Sequence, residues 1–114
     1  MNEDCIFCKI IAGKIPAAVV QQDEELIAIE DVQPQAPTHL LLIPRTHIAK
    51  VLDLGPEHSG LLSRIFCAAN RLARARGLEN GFRLVVNNGP GGGQTVHHLH
   101  VHLLGGRPMR WPPG

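Results

Sequence analysis

"QTVHHLHVHLLGG", residues 94–106, holds four of the chain's seven histidines within the six positions 97–102. Three of them, His98, His100 and His102, alternate with Leu99, Val101 and Leu103. That alternation predicts a strand over 96–104, because successive strand side chains point to opposite faces of a sheet. The leucines and the valine then face a core, and three imidazoles line the other side. At about 3.3 Å per residue the end imidazoles stand roughly 13 Å apart. A metal at about 2.0–2.1 Å from each nitrogen can take two neighbours in such a row, and hardly all three. At least one histidine is left over, and an unmetallated imidazole near neutral pH is a nucleophile or general base. A polar strand face that merely happens to be histidine is the competing reading. His97 points away from the triplet and reads as a surface or structural residue.

The stretch before the histidines is "NNGPGGGQT", a glycine-rich turn. Its successive glycines, Gly93 among them, let backbone N–H groups approach an anion, and Gln94 and Thr95 add side-chain donors. Donors preorganised toward developing charge are a large catalytic term. "GFRLVVNN", residues 81–88, precedes the loop as a fourth strand antiparallel to the fifth. Further upstream, "AAVVQQDEELIAIEDV" reads as two short strands around an acidic turn at 22–25, and "HLLLIPR", residues 39–45, as a compact apolar strand. Pro56 and Gly77 bracket a long helix whose stripe is Leu61, Ile65, Ala69, Leu72 and Ala73. Cys67 is assigned to the apolar side of that helix, in the core. Residues 5–13 form a short N-terminal helix. The expected fold is therefore α+β: about five mostly antiparallel strands, one long helix and a short one. Residues 105–114, "GGRPMRWPPG" after its first glycine pair, are too rich in proline for a ladder or helix interior. The only tryptophan, Trp111, on such a tail implies that the tail docks against something.

A chain of 114 residues is one domain, and its small size favours dimerisation. A formal charge of +1 argues against a general nucleic-acid binder, which needs a concentrated basic surface. Four arginines between positions 64 and 76 fall on the helix and read as its solvated face. No stretch approaches the roughly 18 apolar residues of a membrane span, and "MNEDCIF" lacks the basic and apolar regions of a signal peptide. Three cysteines suit a reducing compartment better than a disulfide framework. The expected location is cytoplasmic, with no nucleic-acid or membrane partner. "CIFC" pairs Cys5 and Cys8 at the C-x2-C spacing that brings two thiolates to one metal. Alone it is half a site, and a redox pair or two buried thiols compete with that reading.

"HLHVHLL" resembles the His-φ-His-φ-His-φ-φ signature of the histidine triad (HIT) family of nucleotidyl hydrolases and transferases. "GGQT", "APTHLLLIPRTHI" at 36–48 and the tail resemble its Hint branch, the purine nucleoside phosphoramidases. The resemblance runs over nearly the whole chain, as a single HIT domain across 1–114 with the tail docking at a dimer or active site. It implies a homodimer binding AMP- or GMP-type purine nucleotides. It implies cleavage of the P–N bond of nucleoside 5′-phosphoramidates such as AMP-amine or AMP-lysine, and of acyl-nucleotides, through a nucleotidyl-histidine. His100 would be the nucleophile, with His102 and His39 flanking it. Thr95 stands where Hint proteins usually carry serine, keeping the hydroxyl that helps protonate the leaving amine. Asn87, Gly93 and Gln94 would contact the phosphate or the loop that holds it, and Asp31 the ribose hydroxyls. Ile10, Ile15 and Val32 would line the purine pocket, and Trp111 would reach toward the partner's site. Some family members complete a cysteine pair with two histidines, here His47 and His98, as a structural Zn2+ site with Cys5 and Cys8. The alternatives are a dinucleoside polyphosphate hydrolase, as in the Fhit branch, a nucleotide- or zinc-binding adaptor with vestigial activity, and a zinc-dependent hydrolase.

Overall fold

A computed structural model describes residues 3–114. The elements run α1 (Ile6–Ile11), β1 (Val19–Gln22), β2 (Leu26–Glu30), β3 (Thr38–Pro44), α2 (Ser59–Ala75), β4 (Phe82–Val85) and β5 (Val101–Gly105). The strands form one antiparallel sheet in the order β1-β2-β3-β5-β4. This is the α+β arrangement expected from the sequence, with five strands, one long helix and a short N-terminal helix.

β3 sits at the centre, and every one of its residues is buried. Its unbroken apolar run follows from having both faces covered. Leu40 and Leu42 pack toward α2 with Ile65, Ala69, Leu72, Val101 and Leu103. Leu41 and Ile43 join Cys5, Phe7 and Cys8 of the α1 region on the other side. Alternation along one strand thus feeds two cores, one per face. The turn between β1 and β2 is set by Asp23, whose Oδ1 accepts from the backbone N–H groups of Glu25 and Leu26. Those two bonds hold the Asp23 carboxyl below its ordinary pKa. Pro56 opens a short 3-10 turn that runs into α2, and Gly77, at φ +71°, ends the helix in the left-handed region.

Three expectations need correction. The fifth strand begins at Val101 rather than Val96. Before it, Leu99 N–H donates to the Ile48 carbonyl, and the His98 carbonyl accepts from the His100 ring. These bonds replace ladder bonds, so residues 96–100 are tied to the 45–50 segment instead of a strand neighbour. The fourth strand is shortened for a related reason: it pairs with β5 only from Phe82 to Val85. Cys67 is exposed, not in the core. The buried positions of α2 are Ile65, Ala68, Ala69, Leu72 and Ala73, and Cys67 lies two residues, roughly 200° of helical turn, from Ile65.

Candidate active site

The histidine segment is divided between two places. His98 is completely buried beside α1, while the His100 and His102 rings lie with centroids 5.0 Å apart. The division is made where the chain is not yet a strand: His98 turns toward Cys5 and Cys8, and β5 then carries His102 in register with Leu41 of β3.

A cavity of about 650 Å³ opens on the α1 side of the sheet. Its apolar wall includes Phe7, Ile10, Ile15, Ile29 and Val32, and its polar end brings together Asp31, His39, Thr95, His100 and His102. Val32 is 94% exposed, so it marks the rim. Asn87, Gly93 and Gln94 are outside this lining. Gln94 is buried and fully occupied in shaping the glycine loop. Its Oε1 accepts from Gly89 N–H, and its Nε2 donates to the carbonyls of Ala49 and Val96. Gly93, at φ +86°, lies against the Asn87 amide. Trp111 is 83% exposed and is likewise outside the cavity of its own chain.

The hydrogen-bond partners assign the imidazole tautomers. His100 Nδ1 lies 2.7 Å from the His98 carbonyl oxygen, so Nδ1 carries the proton and Nε2 keeps its lone pair. His39 Nδ1 accepts from Gln35 N–H at 3.0 Å, which places the His39 proton on Nε2. That Nε2–H faces His102 Nδ1 at 2.9 Å, with Asp31 Oδ2 at 3.4 Å as a second acceptor. His102 therefore carries its own proton on Nε2, on the ring edge away from His39. The cavity thus holds one bare nitrogen, on His100, beside one N–H donor, on His102. Asp31 is oriented by Gln33 N–H, which donates to its Oδ1.

Burial pushes the His100 imidazole below its ordinary pKa. It does the same for His102, which the neighbouring His100 and His39 also depress, to about 4. Both rings are therefore neutral at pH 7. Between about 4 and the ordinary 6.5 the unfolded chain binds the His102 proton and the folded chain does not, so acid destabilises the fold across that window. Thermal unfolding followed in a chelator from pH 7.5 to 4 is expected to show a falling melting temperature below about pH 6.5, less steeply for His102→Gln. A flat profile in the parent would refute the neutral assignment.

Among the described residues, two groups of donors cluster tightly enough to consider a metal. In the first, Cys5 Sγ and Cys8 Sγ lie 3.3 and 3.6 Å from His98 Nδ1, and His47 Nδ1 lies 3.3 Å from Cys8 Sγ and 3.1 Å from His98 Nδ1. A tetrahedron with zinc bonds of about 2.0–2.3 Å has edges of roughly 3.3–3.8 Å, so the four donors stand near ligand spacing. His98 Nε2–H donates to the Pro44 carbonyl at 2.7 Å, which leaves Nδ1 bare toward the thiols, the outer-shell arrangement typical of a ligating histidine. Cys5 is the N-cap of α1 and its Sγ accepts from Cys8 N–H, so the helix start fixes the C-x2-C geometry. Burial raises the Cys5 thiol pKa, a penalty that a bound cation reverses. The set fits a structural Zn2+.

The second group, Asp31, His39 and His102, fails the same test. Gln35 N–H occupies His39 Nδ1, so the nitrogen facing His102 is protonated and has no lone pair to offer.

Sequence reasoning missed three participants. Phe7 packs edge-on against the His98 and His100 rings, with centroids at 5.9 and 5.1 Å. The Pro44 carbonyl and the Gln35 N–H are backbone groups, which no residue type announces. Phe7 alone carried a signal, as the aromatic residue inside the C-x2-C pair.

A five-stranded antiparallel sheet with this histidine segment beside a glycine loop defines an α+β domain built around a histidine-lined cavity. Residues 12–109 match the HIT domain family, and the chain belongs to it. The chain is 51% identical over its full length, and that of the relative, to an uncharacterized HIT-like protein of Synechococcus elongatus. A 14 kDa zinc-binding protein of Brassica juncea is 45% identical over 97% of this chain and 100% of its own. A crystal structure of a HIT family hydrolase from Legionella pneumophila superposes with a TM-score of 0.95 at 56% identity, covering 96% of this chain and 99% of that one.

Proposed function

We propose that the protein is a Hint-type nucleoside phosphoramidase. The observation that carries the reading is the state of His100: its Nδ1–H is held by the His98 carbonyl, and it lines the cavity with a bare, neutral Nε2. That nitrogen attacks the α-phosphorus of a nucleoside 5′-phosphoramidate. The P–Nε2 bond forms as the P–N bond to the amine breaks, and the exposed Thr95 hydroxyl relays a solvent proton to the leaving nitrogen, so the hydroxyl is intact when the amine departs. His102 donates Nε2–H to a phosphoryl oxygen, and His39 holds His102 in that tautomer. Water then attacks phosphorus and yields a proton to solvent as the P–Nε2 bond breaks, releasing the nucleoside monophosphate and restoring neutral His100. Asp31 Oδ2 accepts from the ribose hydroxyls at the cavity's polar end, while Ile10, Ile15 and Val32 cover a purine. Acyl-nucleotides fit the same scheme, with a carboxylate as leaving group.

Gln94, Gly93 and Asn87 act on the phosphate through the shape of the glycine loop. Cys5, Cys8, His47 and His98 hold a structural zinc, a reading supported by their spacing and by the zinc-binding name of the Brassica relative. The metal supplies a closed structural brace and takes no part in the phosphoryl chemistry. The protein acts as a cytoplasmic homodimer, with Trp111 of each chain reaching the partner's cavity.

The test is incubation with an adenosine 5′-phosphoramidate, followed by quantifying AMP and free amine and by mass spectrometry of the protein quenched in turnover. Release of both products, with an adenylyl adduct on the 98–105 segment, is expected. Diadenosine polyphosphates serve as the comparison, and faster cleavage of those than of the phosphoramidate would overturn the assignment in favour of polyphosphate hydrolysis.

A further inference from the structure

Arg107 lies in the irregular tail, outside the lining of the histidine cavity. Its Nε donates to the Gln35 carbonyl at 2.9 Å, and its Nη1 donates to the Pro108 carbonyl at 3.0 Å. The guanidinium therefore ties the tail to the loop between β2 and β3. The two segments also meet in direct contact. Gly106 has φ +94°, and a Cβ placed there would stand 2.9 Å from Pro37 Cβ. Only glycine allows that approach without a shift.

The residue whose carbonyl Arg107 grips is also the one whose N–H decides the histidine tautomers, the two groups lying on either side of one Cα. Gln35 offers its carbonyl to Arg107 and its N–H to His39 Nδ1. A neutral imidazole has one proton and one lone pair, so the Gln35 donor forces the His39 proton onto Nε2. That proton faces His102 Nδ1, and His102 must then carry its own proton on Nε2. Released from Gln35, the pair keeps only the longer Asp31 contact at 3.4 Å to favour that order, and it can invert: His39 holds Nδ1–H, His102 donates Nδ1–H to His39 Nε2, and His102 keeps a lone pair on its far edge. One state offers an N–H to an incoming phosphoryl oxygen. The other offers a lone pair, which repels it.

We propose that Arg107 is a positioning residue which, by holding the Gln35 backbone through its carbonyl, keeps the Gln35 N–H on His39 and so orders the His39–His102 pair with His102 presenting an N–H donor to the cavity. The consequence for turnover rests on the phosphoramidase reading; the ordering of the protons does not. Arg107 is exposed, so its replacement opens no void in the core.

The experiment is long-range proton–nitrogen correlation NMR of the imidazoles in substrate-free protein, which distinguishes the two neutral tautomers. It is run on the parent, Arg107→Ala, Arg107→Lys and the tail control Arg110→Ala. The parent and Arg110→Ala are expected to show His39 and His102 as Nε2–H. Arg107→Ala is expected to show Nδ1–H or an averaged signal at both rings, with Arg107→Lys intermediate because a lysine can still donate to the Gln35 carbonyl. In turnover, Arg107→Ala is expected to lower kcat about tenfold with a smaller change in KM, the scale of one hydrogen bond to a charged group. Parent-like tautomers in folded Arg107→Ala would overturn the proposal, as would an equal disturbance in Arg110→Ala. A parent without phosphoramidase activity would sink the functional reading and leave the tautomer result to decide this one.

Discussion

His100→Ala is expected to cut hydrolysis of an adenosine 5′-phosphoramidate by at least about a thousandfold, leaving the fold intact. The size follows from the role. Losing a covalent nucleophile costs about 10³–10⁶ in turnover where it has been isolated, and a thousandfold corresponds to about 4 kcal/mol of transition-state stabilisation. The Thr95 hydroxyl and the His102 donor still line the cavity in the variant, so KM is expected to change far less than kcat. His100→Gly in added imidazole is the complementary measurement. The vacated position then accepts a free imidazole, which restores part of the turnover if a nitrogen nucleophile was what had been lost. His102→Ala keeps the nucleophile and removes a donor to phosphate, so its expected loss is smaller, about ten- to a hundredfold. Turnover of His100→Ala at parent rates would remove the nucleophile from this position altogether.

Much of this site is written in side-chain types at fixed spacing. The all-buried β3 is legible because an apolar run of this length has to be covered on both faces, and His39 rides on the same strand face as Leu41. That at least one of the three imidazoles must part from the others is legible as well, since three in a row are too far apart for one ion, while the assignment of His98 to the metal rests on the family resemblance. What spacing cannot convey is the point at which the strand begins. Alternation continues through residues 96–100, yet the Ile48 carbonyl and the His100 ring take the hydrogen bonds that a ladder would need. Tertiary partners override a local pattern there. Cys67 shows a different limit, because a helix stripe drawn from five apolar positions leaves the edge of the buried arc undefined, and Cys67 falls outside it. The family resemblance leaves Gln94 either a phosphate contact or a loop contact, and three internal hydrogen bonds commit it to the loop. The tautomers depend on the Gln35 and His98 peptides, and any residue other than proline at position 35 can supply the first. Backbone chemistry of that kind becomes visible only once the chain is folded.

Cys8→Ser is expected to produce a large loss of stability, beyond what its place in the α1-side core accounts for. Cys8 is almost fully buried, and its Sγ faces both His47 and His98. Serine offers a harder, shorter ligand that suits zinc poorly, so the change removes the metal's stabilisation while keeping the side chain small and polar. Binding to the folded state alone stabilises by about 4 kcal/mol when free metal exceeds Kd a thousandfold. For a domain of this size that corresponds to a fall in Tm of about 15 °C. The decisive comparison is made with and without a chelator. In the chelator the parent is expected to fall to nearly the level of Cys8→Ser, because both then lack the metal, while the variant itself barely responds. A parent whose Tm is indifferent to chelation would show that the four donors form a hydrogen-bonded cluster and no more. The activity of the chelated parent adds a second test of the division of labour between the histidines. α1 carries Cys5 and Cys8 at one end and contributes Phe7 and Ile10 to the cavity wall. His98 supplies one ligand nitrogen and, through its carbonyl, the bond that holds His100 Nδ1. Turnover is therefore expected to decline only as the α1 region loosens, in step with the loss of its protection from hydrogen exchange. Immediate loss of turnover on chelation, with that protection unchanged, would mean that the metal acts on phosphorus directly and that His98 and His100 are not divided as their geometry indicates.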